Sequence, residues 1–354
     1  MSRFISQRFA GLNAYVPGEQ PQDMQYVKLN TNESPFPPSP EVLAAVGRAE
    51  AEMLNLYPDP ECRVLREKIA NLYGVKTENI FVANGSDDIL NFFFMAFCDD
   101  SRPVVFPDIT YGFYQVYADL YRLPHKTIPL RKDFTLNYSD YCHTGANVVI
   151  ANPNAITGLS ISVAQIEQIL KTNPDHAVLV DEAYVDFGGE SCYPLISRYD
   201  NLLVCRTFSK SWSMAGARLG YAIGNAGLIA DLNKIKYSTN PYNINRLSMA
   251  AGSAAVDSYS YFKNNCNTII ENRTYTISRL NLLGFETLVG QANFILTRHP
   301  EMDGGTLYKQ LKSRGILVRH WDQPKIKDYL RITIGSKNQM DALLDALEII
   351  MKGE

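Results

Sequence analysis

Apolar positions along the chain fall into two textures, and the first is a series of short, nearly unbroken runs rich in β-branched and aromatic residues. Ile80-Phe-Val-Ala83, Pro103-Val-Val-Phe106, His125 to Leu130 and Asn147-Val-Val-Ile150 are followed by Ala177-Val-Leu-Val180, Leu202 to Phe208 and Leu219 to Ile223. Runs of this length without polar alternation predict strands buried on both faces. The second texture separates most of the runs and has helical spacing: Glu61 to Tyr73, Asp88 to Phe97 and Gly112 to Leu120. Strands alternating with helices predict an α/β fold, a large and mostly parallel sheet covered by helices.

Gly227 to Lys236 reads as one more helix, and a longer helical region runs from about Asn245 to Leu283. After Gly284 the texture changes. Strands are expected at Phe294 to Thr297, Ile316 to Arg319 and Tyr329 to Thr333, with helices at Gly305 to Ser313 and Lys337 to Met351. This block predicts a smaller α+β domain beside the large sheet. At the other end, Phe4, Ile5, Phe9 and Leu12 give residues 1–26 the look of a short amphipathic helix and an arm, followed by a strand at Val27 to Asn30. A proline-rich connector leads into a helix that Ser39 caps and Pro40 opens, and Leu56-Tyr-Pro-Asp-Pro60 breaks it. The expected division is an arm and part of the small domain over 1–54, a large domain over 55–250, and the small domain over 251–354, its start a long linking helix.

The 34 Lys and Arg against 37 Asp and Glu leave a net charge of −3, so no global field draws the chain to nucleic acid or membrane. The six cysteines form no CxxC pair and several sit in apolar runs, which points to thiols in a reducing compartment and away from a zinc site. The five histidines stand apart, none at metal-ligand spacing. The first dozen residues lack a signal-peptide core, and no apolar run is long enough to span a bilayer; a soluble cytoplasmic protein is expected.

Chemistry concentrates where the apolar runs end. Thr207-Phe-Ser-Lys210 closes one run and Arg218 opens the next, so a lysine stands between strands with hydroxyls beside it and a guanidinium nearby. That grouping suits a Schiff-base amine with a phosphate held next to it, although an isolated lysine in a loop is more often solvated. Val178-Leu-Val-Asp181 puts a carboxylate at a strand's end, where ligands bind on open α/β sheets, with Tyr184 three residues on; the acid could pair with a ring nitrogen or cap the next turn. Asn84-Gly-Ser-Asp87, between strand and helix, is a phosphate cradle or an ordinary capped turn. Tyr111 follows a further strand and could stack on a flat ring or simply pack. Arg331 and Arg319, on adjacent strands of the small domain, could bind a carboxylate or phosphate, or form structural salt bridges.

Taken together and in this order, these residues resemble the fold-type-I pyridoxal-phosphate aminotransferases, and among them the histidinol-phosphate aminotransferases. The resemblance covers nearly the whole chain. It is carried by Ala14-Tyr15-Val-Pro-Gly18, Leu29-Asn-Thr-Asn32-Glu33, Tyr57-Pro-Asp-Pro60, Asn84-Gly85-Ser-Asp87, Asp181-Glu-Ala-Tyr184, Thr207-Phe-Ser-Lys210 with Arg218, and Leu330-Arg-Ile-Thr-Ile-Gly335. It implies pyridoxal 5'-phosphate as cofactor, with Lys210 bound to its aldehyde and later carrying the proton. Asp181 would meet the ring nitrogen and Tyr184 the 3'-oxygen, while Tyr111 would stack on the ring. Gly85, Ser86, Asp87, Thr207, Ser209 and Arg218 would surround the phosphate. Tyr57 would reach that phosphate from the partner subunit, making the protein a homodimer. Tyr15, Asn32, Arg319 and Arg331 would form the substrate side.

The reaction implied is transfer of an amino group between L-histidinol phosphate and 2-oxoglutarate in histidine biosynthesis. Neighbouring possibilities are a threonine-phosphate decarboxylase-like lyase and an aromatic-amino-acid aminotransferase. A non-catalytic ligand-binding module of the kind attached to some transcription regulators needs a DNA-binding domain, and the resemblance leaves no residues for one. One departure stands out: where the family usually reads Asn-Pro-Thr-Gly, this chain has Ala155-Ile-Thr-Gly158. Either the adjacent Asn154 replaces the missing contact to the 3'-oxygen, or Tyr184 alone suffices.

Overall fold

A computed structural model of the chain describes residues 5, 6, 8, 9 and 11–353. Its strands are, in chain order, β1 (Val27–Lys28), β2 (Ile80–Ala83), β3 (Val104–Pro107), β4 (His125–Ile128), β5 (Asn147–Ala151) and β6 (Val178–Asp181). Then come β7 (Leu202–Thr207), β8 (Gly220–Gly224), β9 (Glu286–Leu288), β10 (Phe294–Arg298), β11 (Ile316–Leu317) and β12 (Leu330–Thr333). Seven of these form the large sheet in the order β2-β8-β7-β6-β5-β3-β4. Every residue of β2, β3, β5, β6, β7 and β8 is buried, as the unbroken apolar runs require, whereas edge strand β4 is mostly exposed.

All pairings in this sheet are parallel except those of β8, which runs antiparallel to both β2 and β7. The link from β7 to β8 contains no crossover helix, only a short irregular turn region, so the chain can double straight back. The reversal matters for the site. It sets Gly220 opposite both Thr207 and Ala83, so β8 begins at the edge where β2, β6 and β7 end.

The smaller sheet has the antiparallel order β12-β10-β9, flanked by the helices Gly304–Ser313, Lys337–Met351 and Tyr259–Leu282. The N-terminal segment lies beside it, in a separate two-stranded sheet with β11. β1 pairs in parallel with β11, and Thr333 N donates to Leu29 O at 2.9 Å, so residues 29–33 lie along β12 and reach the edge of the large sheet.

Three expectations need correction. The described part of residues 1–26 contains no helix, only single turns at Phe9 and Leu12; Phe4 lies outside the described residues. Gly11, Pro17, Gly18 and Pro21 leave too few consecutive residues to offset the cost of helix nucleation. The long helical region divides at Ser258 into Arg246–Asp257 and Tyr259–Leu282, and Ser258 bonds both its own helix and Glu41. Arg319 lies just beyond β11 and meets Arg331 through an isolated backbone bridge. No helix among the described residues is long and apolar enough to cross a membrane. All six cysteines are free thiols.

Candidate active site

The carboxyl ends of β2, β6 and β7 and the start of β8 enclose a cavity of about 340 Å³. Asp181, the last residue of β6, is 5% exposed. Its carboxylate accepts from the Tyr114 hydroxyl at 2.9 Å and from Ala183 N at 3.1 Å. Burial outweighs both bonds and pushes its pKa up to about 6. Lys210 stands on the turn after β7, and its Nζ donates to the carbonyl of Thr31 at 3.0 Å. Burial and then the charge of Arg331 bring its pKa down to about 8. The buried acid and the buried amine thus line one cavity, each shifted toward its neutral form.

One end of the cavity is closed by backbone contact between β8 and the turn after β2. Gly85 caps the helix Ser86–Phe97 at a φ of 85°, a conformation that glycine adopts without strain. A Cβ on Gly220 would stand 2.6 Å from Gly85 C and Ser86 N, and one on Gly85 2.9 Å from Arg218 Nη2. Two glycines therefore let a helix N-terminus approach β8 and face the cavity, an arrangement that suits an anion. Ser86, Thr207, Ser209 and Arg218 line the same end. Arg218 donates to Asp87 Oδ2 at 2.9 Å, and the Tyr111 hydroxyl donates to Asp87 Oδ1 at 2.8 Å. The Tyr184 hydroxyl accepts from Asn32 Nδ2 at 3.0 Å, while Thr333 Oγ1 fixes both the backbone and the side chain of Asn32.

A wider cleft of about 700 Å³ opens onto Lys210, Tyr111 and Tyr184 from the small-domain side, with Tyr15, Asn32, Arg319 and Arg331 in its wall. The Arg331 guanidinium lies over the rings of Phe294 and Trp321, each at 5.1 Å. Its hydrogen bonds go to the carbonyls of Ala155 (2.9 Å) and Asn30 (3.3 Å), and its buried Nε has no partner. Arg319 donates to the carbonyls of Pro17 and Val16, and Tyr15 stacks on Phe113 with ring centroids 4.3 Å apart.

Most of the residues picked out along the sequence therefore converge on these two connected spaces. Asn154 does not, and that expectation is corrected. Its Oδ1 accepts from the N–H groups of Ile156 and Thr157 and its Nδ2 donates to Ile109 O, so the side chain is used up inside its own turn. Ala155 faces the cavity instead. Tyr57 is 79% exposed, stacks on Tyr242 and does not line this chain's own cavity. Tyr114, the Thr31 carbonyl, Glu33 and Trp321 belong to the site and were missed. A buried acid such as Asp181 needs a donor, and that need was the one signal that could have led to Tyr114.

The residues fit pyridoxal phosphate: a buried acid for the ring nitrogen, an amine for the aldehyde, and a glycine-cradled helix end with hydroxyls and a guanidinium for the phosphate. Sheet order and site together define a fold-type-I pyridoxal-phosphate enzyme. The chain belongs to the family of aminotransferases of class I and II, whose family model matches residues 24–347. It is 48% identical to histidinol-phosphate aminotransferase 2 of Dechloromonas aromatica (strain RCB), over 99% of each chain. It is 47% identical to the histidinol-phosphate aminotransferase of Brachyspira hyodysenteriae, over 99% of this chain and 100% of that one. The fold matches the crystal structure of histidinol-phosphate aminotransferase from Sinorhizobium meliloti in complex with pyridoxal-5'-phosphate, with a TM-score of 0.87 at 24% identity, over 100% of this chain and 99% of that one.

Proposed function

We propose that this aminotransferase exchanges an amino group between L-histidinol phosphate and 2-oxoglutarate, giving imidazole acetol phosphate and L-glutamate, a step in histidine biosynthesis. The observation that carries the proposal is Arg331. It is a half-buried cation whose hydrogen bonds go to neutral carbonyls, in a cleft that opens onto Lys210. Burial lowers its pKa, which means the guanidinium lacks a compensating anion. The phosphate of one substrate and a carboxylate of the other supply that anion in turn, with Arg319 and Tyr15 completing the subsite.

Pyridoxal phosphate, when bound, supplies an aldehyde for the substrate amine and a ring that accepts the electrons of the Cα–H bond. Lys210 would hold the aldehyde, and its amine would be the base that carries the proton at the substrate Cα. A pKa near 8 suits that task, because the amine is then both an adequate base and readily reprotonated. Asp181 holds the proton on the ring nitrogen, with Tyr114 orienting its carboxylate. Tyr184, braced by Asn32, would hold the 3'-oxygen, without a second contact because Ala155 stands in the usual asparagine position. Ser86, Thr207, Ser209 and Arg218 hold the phosphate beside Gly85 and Asp87, and Tyr111 covers the ring. Residues 55–250 form the large cofactor-binding domain, and 251–354, joined by 1–54, the small one.

The protein works as a cytoplasmic homodimer in which Tyr57 reaches the partner subunit's cofactor phosphate. The exposure of Tyr57 together with that of Leu54, Leu56 and Val64 supports this, since such an apolar surface calls for a covering chain. The test is an amino-donor screen on purified enzyme carrying cofactor, including histidinol phosphate, phosphothreonine and the aromatic amino acids. Conversion to the amino form of the cofactor with histidinol phosphate is expected. Carbon dioxide release from phosphothreonine, or preference for an aromatic donor, would overturn the assignment.

A further inference from the structure

Behind the cavity lies a charged cluster that does not line it. Arg206 precedes Thr207 in β7, and because side chains alternate along a strand it points to the opposite side. Its Nη1 lies 3.0 Å from Glu182 Oε2 and its Nη2 bonds Asp186, and the Arg206 and Glu182 side chains are shut off from solvent. Glu182 also accepts from Cys192 N at 2.7 Å and from the Ser191 hydroxyl. The second oxygen of Asp186 accepts from Ser211 Oγ at 2.6 Å. Tyr73 lies under the guanidinium at 5.7 Å and is bonded to Tyr221.

A buried group of one positive and two negative charges is weak evidence of stabilisation, since apolar side chains of the same volume often hold a fold as well. What sets this cluster apart is what it touches. Glu182 follows Asp181 in the chain, and Ser211 follows Lys210. The turn carrying Lys210 is closed by backbone bonds from Phe208 N to Leu219 O at 2.9 Å, Met214 N to Phe208 O at 3.1 Å and Ala217 N to Met214 O at 3.0 Å, but the one that reaches Lys210 itself is a long Ser213 N to Lys210 O at 3.4 Å. The Lys210 amine is tethered only to a neutral carbonyl, from which it is readily released. Two hydroxyls tie this turn to the rest of the fold, Ser213 to Ser34 Oγ at 2.8 Å and Ser211 to Asp186, and Ser211 is the one next to Lys210.

We infer that Arg206, Asp186 and Ser211 form a positioning relay that fixes the backbone at Lys210, so that the amine moves between its stations by side-chain rotation alone. Arg206 fixes Asp186, Asp186 fixes Ser211, and Ser211 fixes the residue before it. None of the three touches substrate or cofactor. The inference rests on the proposed role of Lys210 as proton carrier and adds the device that keeps it in register.

The test uses the full-length protein and the variants Ser211→Ala, Ser211→Thr and Lys210→Ala. Two readouts are taken: the rate at which apo-protein captures pyridoxal phosphate at Lys210, located by borohydride trapping and peptide mass, and the steady-state constants with ordinary and α-deuterated donor. Ser211→Ala is expected to fold and to keep KM within roughly twofold, while kcat falls about tenfold or more, since small misplacements of a reacting group are costly. The isotope effect on kcat should grow, capture by the apo-protein should slow in parallel, and Ser211→Thr, which keeps the hydroxyl, should recover most of both rates. A Ser211→Ala enzyme whose kcat and capture rate both match the parent, even with a lowered melting temperature, would overturn the relay. Turnover by Lys210→Ala would instead overturn the role of Lys210 itself, and the two failures are told apart within one experiment.

Discussion

Asp181→Asn should make the cofactor-free protein more stable and its grip on the cofactor weaker. The acid is buried and its pKa is raised to about 6 from the ordinary 3.8, with burial as the main cause. Between those two values the folded protein holds a proton that the unfolded chain has released. Stability from this site is therefore complete below pH ~4 and lost as pH rises through about 6. A shift of about two units corresponds to about 3 kcal/mol by which the ionised acid burdens the apo-protein near neutrality. An amide in its place carries no charge, and both existing bonds survive: its carbonyl accepts from Ala183 N, and its NH2 donates to the Tyr114 hydroxyl. Urea unfolding of apo-protein at pH 4, 5, 6 and 7.5 reads the difference directly. The variant should gain about 2–3 kcal/mol at pH 7.5 and nothing near pH 4. A difference that is flat with pH, or a variant less stable at pH 7.5, would show that the carboxylate is not the strained group argued here.

Cofactor capture by apo-protein should accelerate with pH to a midpoint near 8, because only the neutral Lys210 amine attacks an aldehyde and burial depresses its pKa to that value; a midpoint near 10.5 in stopped-flow traces would contradict this. Arg331→Ala should raise KM for both the phosphorylated and the carboxylate substrate, with kcat/KM down by about 10- to 100-fold, the worth of one charge-assisted contact. An effect on one substrate alone would mean that the anion site is not shared. Gly220→Ala should drive a methyl into the backbone of Gly85 and Ser86, costing about 1–3 kcal/mol and weakening cofactor affinity, measured by equilibrium dialysis. Mixed dimers of Tyr57 and Lys210 single mutants should recover activity if each site draws on both subunits; verified heterodimers without recovery would rule out a shared site.

Much of the large sheet was legible because strands buried on both faces need unbroken apolar runs, and a parallel sheet gathers its chemistry at the carboxyl ends. That rule made Asp181, Lys210 and Tyr111 candidates, each still with an ordinary reading that their combination and the family resemblance set aside. The antiparallel direction of β8 could not, since it depends on the turn after Lys210 and not on the apolarity of the strand. β9, three residues at an edge with one of them exposed, carries no periodic signal. Asn154 illustrates a sharper limit. Composition shows an amide in the turn, but adjacent residues point in different directions, and only the backbone decides that Ala155 faces the cavity while Asn154 bonds its own loop. Tyr114 was hidden for a similar reason, since an aromatic residue in an apolar helix looks like core until its hydroxyl is seen on Asp181.

The physical logic of the site lies in how its charges fail to cancel. Asp181 is pushed up by burial, Lys210 is pushed down by burial and by Arg331, and Arg331 is itself pushed down by burial. Ion pairs inside the cavity would relieve these shifts, yet the acid bonds a phenol and a backbone N–H, and the two cations bond carbonyls. By contrast, Arg206, just behind the cavity, is fully paired with Glu182 and Asp186. The fold can therefore neutralise buried charge, and in the cavity it does so for Arg218 and Asp87 but not for Asp181, Lys210 or Arg331. Under the proposed function, each uncompensated group would be relieved by one part of the reacting system: the acid by a protonated ring nitrogen, the amine by an aldehyde carbon, the guanidinium by a phosphate or carboxylate. A pocket built this way gives up stability when empty, and that same deficit is why the ligands bind in one orientation.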